Sequence, residues 1–264
     1  MKRIFAAAAM VIAAAFCAIM PLQAQESARI GVVFMHGKWG QPDRHISNLV
    51  GALKAEGYLV NAPEMPWSGT REYDKDMSQA MAEVDNAIRE LRNQGAAKIV
   101  VGGHSMGANA ALYYAGRTKV DGVAIVALGH FPEGARIRDM IGGSVARAKE
   151  LVLAGKGEER GNFDDFNTGN RRKSVSCSAK NYLSYFDLDG PMNSIRNAAS
   201  VKPGTPVLWV APAQEEPGPK RMAQAAREQL PSNQTNKFVE VDADHLKAPN
   251  AAINDITAWL KALR

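Results

Sequence analysis

Gly103-His104-Ser105-Met106-Gly107 sets one hydroxyl between two glycines. A β-branched run, Lys98 to Val101, precedes it, and a good helix former, Ala108 to Ala115, follows. In that setting G-x-S-x-G predicts a sharp strand-to-helix turn that lifts Ser105 above a sheet, with glycines avoiding clashes in a strained bend. The first amides of the following helix then face the hydroxyl and favour developing negative charge. The chemistry open to such a serine is nucleophilic attack. An unassisted hydroxyl is a poor nucleophile near neutral pH, so a base is required.

Five histidines are available. His45 falls on a helix by pattern and reads as surface. His104 neighbours the serine, and its side chain should point away from that of Ser105. His36 reads as an organiser of its glycine loop, and His130 as a residue lining a pocket. His245, in Val241-Asp242-Ala243-Asp244-His245, follows the last strand and precedes the last helix. A loop after a late strand reaches the C-terminal edge of a parallel sheet, where Ser105 is displayed, so His245 is the expected base.

An acid should orient that imidazole and stabilise its charged form. Gln214-Glu215-Glu216-Pro217 follows the fifth strand and offers two, with Glu216 preferred and Glu215 second. Asp242 and Asp244 stand too close in sequence to reach around the ring, and turn or surface roles suit them better. A developing oxyanion needs two backbone donors. The N–H of Met106 is one. The N–H of Lys38, in His36-Gly37-Lys38-Trp39-Gly40, is the expected second, with Gly37 as the alternative. Trp39, Trp67 and His130 are candidates to line a substrate pocket, and the aromatics from Tyr182 to Phe186 either join them or belong to the core. The histidines lack zinc-like spacing. The glycine loops lack a Lys-Ser/Thr phosphate-binding ending and a G-x-G-x-x-G fingerprint. No metal or cofactor is expected.

These groups need a scaffold that brings distant loops to one edge. Short apolar runs at Arg29–Met35, Tyr58–Val60, Lys98–Val101, Val123–Leu128, Pro206–Val210 and Lys237–Val241 read as six strands. Between them lie helical patterns: one opening at Pro42-Asp43 with Ile46, Leu49, Val50 and Leu53 on one face, one over Met77–Arg92, and a closing one over Ala251–Leu263. Alternation of this kind predicts an α/β fold, a mostly parallel central sheet flanked by helices. The stretch from about 131 to 202 breaks the rhythm and reads as an inserted cap or lid. It is helical from Ala135 to Ala154 and glycine-rich and charged from Gly155 to Ser178, where Arg171-Arg172-Lys173 reads as a solvated loop.

The chain has 264 residues, 46% hydrophobic and 22% charged, an ordinary globular balance. Residues 1–24 read as a secretory signal peptide: Lys2 and Arg3, the apolar run Ile4 to Met20, then Leu22-Gln23-Ala24 as a small-residue cleavage site. Its removal leaves residues 25–264 as one domain with no stable membrane anchor, exported to the periplasm or secreted. Cys17 is not a lipid-anchor site, because bulky Phe16 precedes it. The mature segment then holds 30 basic and 27 acidic residues, too mild an excess to argue for a nucleic-acid partner. It keeps one cysteine, Cys177, which reads as an idle thiol.

His36-Gly37, Gly103-His104-Ser105-Met106-Gly107 and Ala243-Asp244-His245 resemble the marker segments of the α/β-hydrolase superfamily. The resemblance runs from Arg29 to Arg264 and is loosest in the cap. It implies a Ser-acid-His triad with Ser105 and His245 in their usual roles. It also implies an acid, commonly Asp before Pro, where this chain has Glu215-Glu216-Pro217. The expected function is hydrolysis of a small-molecule carboxylic ester, or a related acyl bond, through an acyl-enzyme on Ser105. Dehalogenation and epoxide opening are disfavoured, because relatives that perform them carry Asp at this position. The alternative is an inactive binding protein on the same fold.

Overall fold

The computed structural model describes residues 29–263, and the expected leader at 1–24 lies outside them. In chain order the elements are β1 (Ile30–Met35), α1 (Ser47–Ala55), β2 (Leu59–Asn61), α2 (Met77–Asn93), β3 (Lys98–His104), α3 (Met106–Arg117) and β4 (Gly122–Val126). They continue with α4 (Ala135–Leu153), β5 (Arg160–Asn167), β6 (Arg171–Ser178), α5 (Ala179–Phe186), α6 (Ser194–Ser200), β7 (Val207–Pro212), α7 (Pro217–Arg227), β8 (Lys237–Val241), α8 (Ala248–Ala251) and α9 (Ile253–Ala262).

Six strands form one sheet in the order β2-β1-β3-β4-β7-β8, every neighbouring pair parallel. Both faces are covered, which explains why the strands read as unbroken apolar runs. Along β1, Val33 and Met35 pack with α2 and α3, while Ile30, Val32 and Phe34 pack with α1 and α9. Each such side chain stabilises the fold by about 1.5–3 kcal/mol through burial. At the N-terminus of α2, Asp76 accepts from the Gln79 amide at 2.9 Å while the Gln79 side chain accepts from the Asp76 amide. This reciprocal cap fixes where the helix starts.

The strand order reverses direction between β1 and β3. The chain leaves β1 toward β2 on one side and leaves β3 toward β4 on the other. Loops departing in opposite directions open a crevice at the strand ends, the usual place for a ligand in such a sheet. Gly37-Lys38 and Ser105 stand at these two ends.

Several local expectations change. β3 continues through Gly102 and Gly103 rather than breaking there, pairing Gly102 with Ala124 and Gly103 with Ile125. A Cβ on Gly102 would lie 2.9 Å from the Ala124 carbonyl oxygen, and one on Gly103 would lie 2.3 Å from the Gly107 carbonyl carbon. These glycines permit close approach inside a strand and do not end it. α1 begins at Ser47, so exposed His45 precedes the helix, and turns occupy Pro42 to Ile46.

Between β4 and β7 the inserted segment holds α4, an antiparallel β5–β6 hairpin, α5 and α6. The hairpin occupies the stretch that composition marks as irregular. Arg171, Arg172 and Lys173 lie on β6, and Lys173 pairs with Glu72 at 2.8 Å. The aromatics from Tyr182 to Phe186 are core. Phe163 stacks on Tyr182 at 4.6 Å, and Tyr182 on Phe186 at 4.4 Å. Cys177 is buried, and desolvation pushes its thiol up to about 12, so it stays protonated.

Candidate active site

Ser105 sits between β3 and α3 with φ 56° and ψ −117°. This is a strained conformation for a residue with a side chain, and it persists where the surroundings over-determine it. The Ser105 amide donates to the Val126 carbonyl at 3.0 Å, and its carbonyl accepts from Ala108 and Gly129. A Cβ on Gly107 would lie 2.4 Å from the Met35 carbonyl oxygen, so only glycine lets α3 start this close to β1. Trp39, Ala127 and His130 also have positive φ, at 56°, 46° and 62°. Four of the seven non-glycine residues with positive φ among the described residues thus lie in the loops at the ends of β1, β3 and β4.

His245 reaches this point from the loop after β8. Its Nε2 lies 2.9 Å from Ser105 Oγ. Its Nδ1 lies 2.5 Å from Glu215 Oε2. The pattern assigns the proton to Nδ1, so the ring donates to Glu215 and accepts from the hydroxyl. Asp244 turns the approach by accepting from the Leu246 and Lys247 amides. Asp242 accepts from the Gln214 side chain at 2.9 Å.

The acid beside the imidazole is Glu215, not Glu216. The Ala213 and Gln214 amides continue the pairing beyond β7 by donating to Val241 and Ala243. That register delivers Glu215 to His245, with its side chain 7% exposed. Glu216 is the N-cap of α7 and precedes Pro217 at φ −55°, ψ 142°. A residue before proline is held extended, so its side chain turns to the opposite side from its neighbour. Glu216 instead pairs with Arg136 at 2.7 Å on the surface.

The first turn of α3 leaves the Met106 N–H without an intrahelical acceptor. Among the described residues no protein acceptor takes it or the Lys38 N–H. The Gly37-Lys38 loop abuts the serine, since a Cβ on Gly37 would lie 3.1 Å from Ser105 Cβ. The Lys38 side chain is not a free surface group. Its ammonium pairs with Asp165 at 2.8 Å, the two side chains being 7% and 0% exposed.

A cavity of about 550 Å³ opens over Ser105 and His245, with Phe131, Ile137, Phe166 and Met222 among its walls. His130 is among its lining residues. Trp67 is not: it is fully buried, with Nε1 donating to the His36 carbonyl at 2.8 Å. Trp39 stands outside the lining as well and donates to Asp165 at 2.7 Å. Both indoles hold the loop after β1 in place. The lining adds residues that sequence reasoning missed: Gly129, Phe131, Arg136, Phe166 and Met222. Only Gly129 carried a signal, a glycine directly after the apolar run Val123–Leu128. Among the described residues no group of three His, Cys, Asp or Glu is placed to hold a metal ion.

Gly129 is the close-approach position. A Cβ there would lie 2.6 Å from Ser105 Oγ and 3.3 Å from His245 Cε1. Both are side-chain atoms, so the serine can turn aside while the backbone stays. Gly129→Ala is expected to lower turnover by about 10²-fold, the scale of a misplaced reacting group. The melting temperature should shift by only a few degrees. Steady-state kinetics with a thermal melt checks this, and unchanged kinetics in the folded variant would contradict it.

Two buried imidazoles frame the site without touching the hydroxyl. His104 Nε2 donates to the His245 carbonyl at 2.8 Å. His36 Nδ1 donates to the Gly37 carbonyl at 2.8 Å, and its Nε2 accepts from the Met65 amide at 3.0 Å. Desolvation lowers His104 from 6.5 to about 3, and lowers His36 in the same direction. The unfolded chain takes up these protons as pH falls below about 6.5, whereas folded His104 does so only near pH 3 and folded His36 at a lower pH than in the unfolded chain. Stability should therefore be insensitive to these groups above pH 7. It should fall toward pH 4, by up to about 1.4 kcal/mol per pH unit for each proton. Thermal melts between pH 7 and 4.5 test this. His104→Gln should flatten the slope by about one proton, and an unaltered slope would refute the assignment.

The Alpha/beta hydrolase family matches residues 32–256 of the chain. No curated protein sequence matches it. Among solved structures, one chain from the structural work on LipS and LipT, two metagenome-derived lipolytic enzymes, superposes with a TM-score of 0.63 at 16% identity, covering 89% of this chain and 94% of that one. Est1E from Butyrivibrio proteoclasticus with bound ferulic acid gives 0.60 at 17% identity, with 92% of each chain covered. A monoacylglycerol lipase from Paleococcus ferrophilus gives 0.63 at 20% identity, covering 89% and 95%. With the family match spanning most of its length, this chain belongs to the alpha/beta hydrolase family.

Proposed function

We propose that the chain is a serine hydrolase that cleaves carboxylic esters, or closely related acyl bonds, of small molecules through an acyl-enzyme on Ser105. The observation that carries this is the unbroken hydrogen-bond chain from Ser105 Oγ through His245 to Glu215 at the floor of an apolar cavity. As Ser105 Oγ attacks the carbonyl carbon, its proton passes to His245 Nε2. The carbonyl oxygen becomes an oxyanion held by the Met106 and Lys38 amides. Collapse expels the alkoxide, which takes the proton from His245 and leaves the acyl group on Ser105. Water repeats the sequence with His245 as base and releases the acid. Glu215 holds the ring and stabilises its cationic form. None of these steps calls on a cofactor.

The cavity volume suits a small ligand. Its Phe131, Ile137, Phe166 and Met222 walls suit an apolar acyl or aryl group. Binding of ferulic acid by Est1E and the monoacylglycerol lipase among the neighbours support esters of that size. With the leader at residues 1–24, the reaction takes place after export, in the periplasm or outside the cell. The test is a chain-length series of p-nitrophenyl esters together with mass spectrometry after a fluorophosphonate. Hydrolysis and a single adduct on Ser105 are expected. A folded protein with neither would leave a binding role instead.

A further inference from the structure

The loop that carries the Lys38 amide has almost no polar group to spare. In the Gly37–Lys38 peptide, the carbonyl accepts from His36 Nδ1 at 2.8 Å and from the Gly40 amide at 3.0 Å. In the next peptide, the Trp39 amide donates to the Trp67 carbonyl at 2.9 Å, and the Lys38 carbonyl accepts from Asn167 Nδ2 at 3.0 Å. Among the described residues the Lys38 N–H alone in these two peptides has no protein partner. Because a peptide unit is planar, fixing its carbonyl fixes the direction of its N–H.

That carbonyl is held within the loop itself; the following Lys38–Trp39 peptide, which fixes Lys38 from its other side, is held in part from outside the core. Asn167 lies on β5, in the segment inserted between β4 and β7, and so does Asp165. The Asp165 carboxylate is fully buried and accepts four hydrogen bonds. They come from Lys38 Nζ at 2.8 Å, Trp39 Nε1 at 2.7 Å, Tyr73 Oη at 2.6 Å and its own neighbour, the Phe166 amide, at 2.7 Å. Two of these donors are the consecutive side chains that flank the peptide held by Asn167. A buried carboxylate so fully satisfied is a rigid anchor, because loss of any donor leaves charge uncompensated.

We infer that Asp165 and Asn167 are positioning residues for the oxyanion donor, so that the inserted segment completes the catalytic geometry as well as covering the cavity. This rests on the acyl-transfer reading above. Its energetic logic is preorganisation: a donor already aimed at the developing oxyanion needs no rearrangement during the reaction. Gly37 and Gly40 leave the loop pliable when the clamp is absent. The strand supplies the missing stiffness by gripping the side chains on one side and the Lys38 carbonyl on the other.

The experiment compares Asp165→Asn, Asn167→Ala and Trp39→Phe with the wild type on one p-nitrophenyl ester. It also uses an aryl trifluoromethyl ketone, whose tetrahedral adduct puts an oxyanion in the hole. Asp165→Asn and Asn167→Ala are each expected to lower kcat about tenfold or more, with KM within about threefold. Ketone affinity should fall in parallel with kcat/KM, while competitive inhibition by the carboxylic acid product stays unchanged. Trp39→Phe should show a smaller loss of the same kind. Should Asp165→Asn unfold, Asn167→Ala decides, since its half-buried amide can be removed without stranding a buried charge. Folded variants with wild-type kcat and ketone affinity, or with losses confined to KM, overturn the inference while leaving acyl transfer intact. A wild-type protein that neither turns over esters nor binds the ketone overturns both.

Discussion

Replacing Ser105 with alanine is expected to lower kcat on p-nitrophenyl esters by roughly 10^4- to 10^6-fold and to abolish fluorophosphonate labelling, with the fold retained. The size follows from the removal of a pathway and not merely of a contact. Without Oγ no acyl-enzyme forms, and His245 can only assist direct attack by water. What survives is the rate given by the two amides and by substrate binding, which in other acyl-transfer sites still exceeds the rate in water by about 10^3- to 10^4-fold. Alanine fits the site, because the Ser105 backbone rather than its hydroxyl makes the bonds to Val126, Ala108 and Gly129. The strained φ of 56° is set by that frame, so the variant should melt within a few degrees of the parent. Burst kinetics add a qualitative reading: an acyl-enzyme route permits a burst of nitrophenol in the wild type and none in Ser105→Ala. Retained hydrolysis in the alanine variant would remove Ser105 from the reaction.

Much of this geometry is legible in the chain because it depends on local signals that agree. The β-branched run before Gly103 and the alanine-rich run after Gly107 both point to a strand-turn-helix unit, and the glycines fit only that bend. His245 could be found because a residue just beyond a late parallel strand has to emerge at the sheet edge that bears Ser105. The β5–β6 hairpin was hidden for a physical reason. Its inward positions alternate as Phe163 and Asp165 on one strand and Val175 and Cys177 on the other. Asp165 breaks the hydrophobic period at the place where a buried carboxylate, matched by Lys38, Trp39 and Tyr73, replaces an apolar residue. Those partners lie 92 to 127 residues away in sequence, and no local pattern reports a pairing at that range. Trp39 and Trp67 mislead in the reverse sense. An aromatic beside a catalytic loop can line a pocket or support the loop from behind, and only the path of the chain decides between them.

Glu215→Gln is expected to lower kcat by on the order of 10^3- to 10^4-fold, while Glu216→Gln stays within about twofold of the wild type. The adjacent carboxylates differ because one is paired in a nearly dry site and the other in water. Glu215, 7% exposed, meets an imidazole that is only 10% exposed, and the carboxylate also accepts from the Glu216 amide. Glutamine in its place keeps the size but can turn an NH2 toward Nδ1. That favours the tautomer with its proton on Nε2, which faces the Ser105 hydroxyl with a donor where an acceptor is needed. It also removes the charge that balances the imidazolium during attack. Glu216 and Arg136 are both more than a third exposed, and such a pair contributes only about 0–1 kcal/mol. Glu215→Asp sharpens the comparison. It retains the charge but withdraws it by one methylene, and the β7 register and Pro217 prevent the backbone from following. An intermediate loss, partial in kcat with little change in KM, is expected. Full activity in Glu215→Gln with a large loss in Glu216→Gln would require the segment after β7 to slip by one residue, against the Ala213 and Gln214 hydrogen bonds that fix its register.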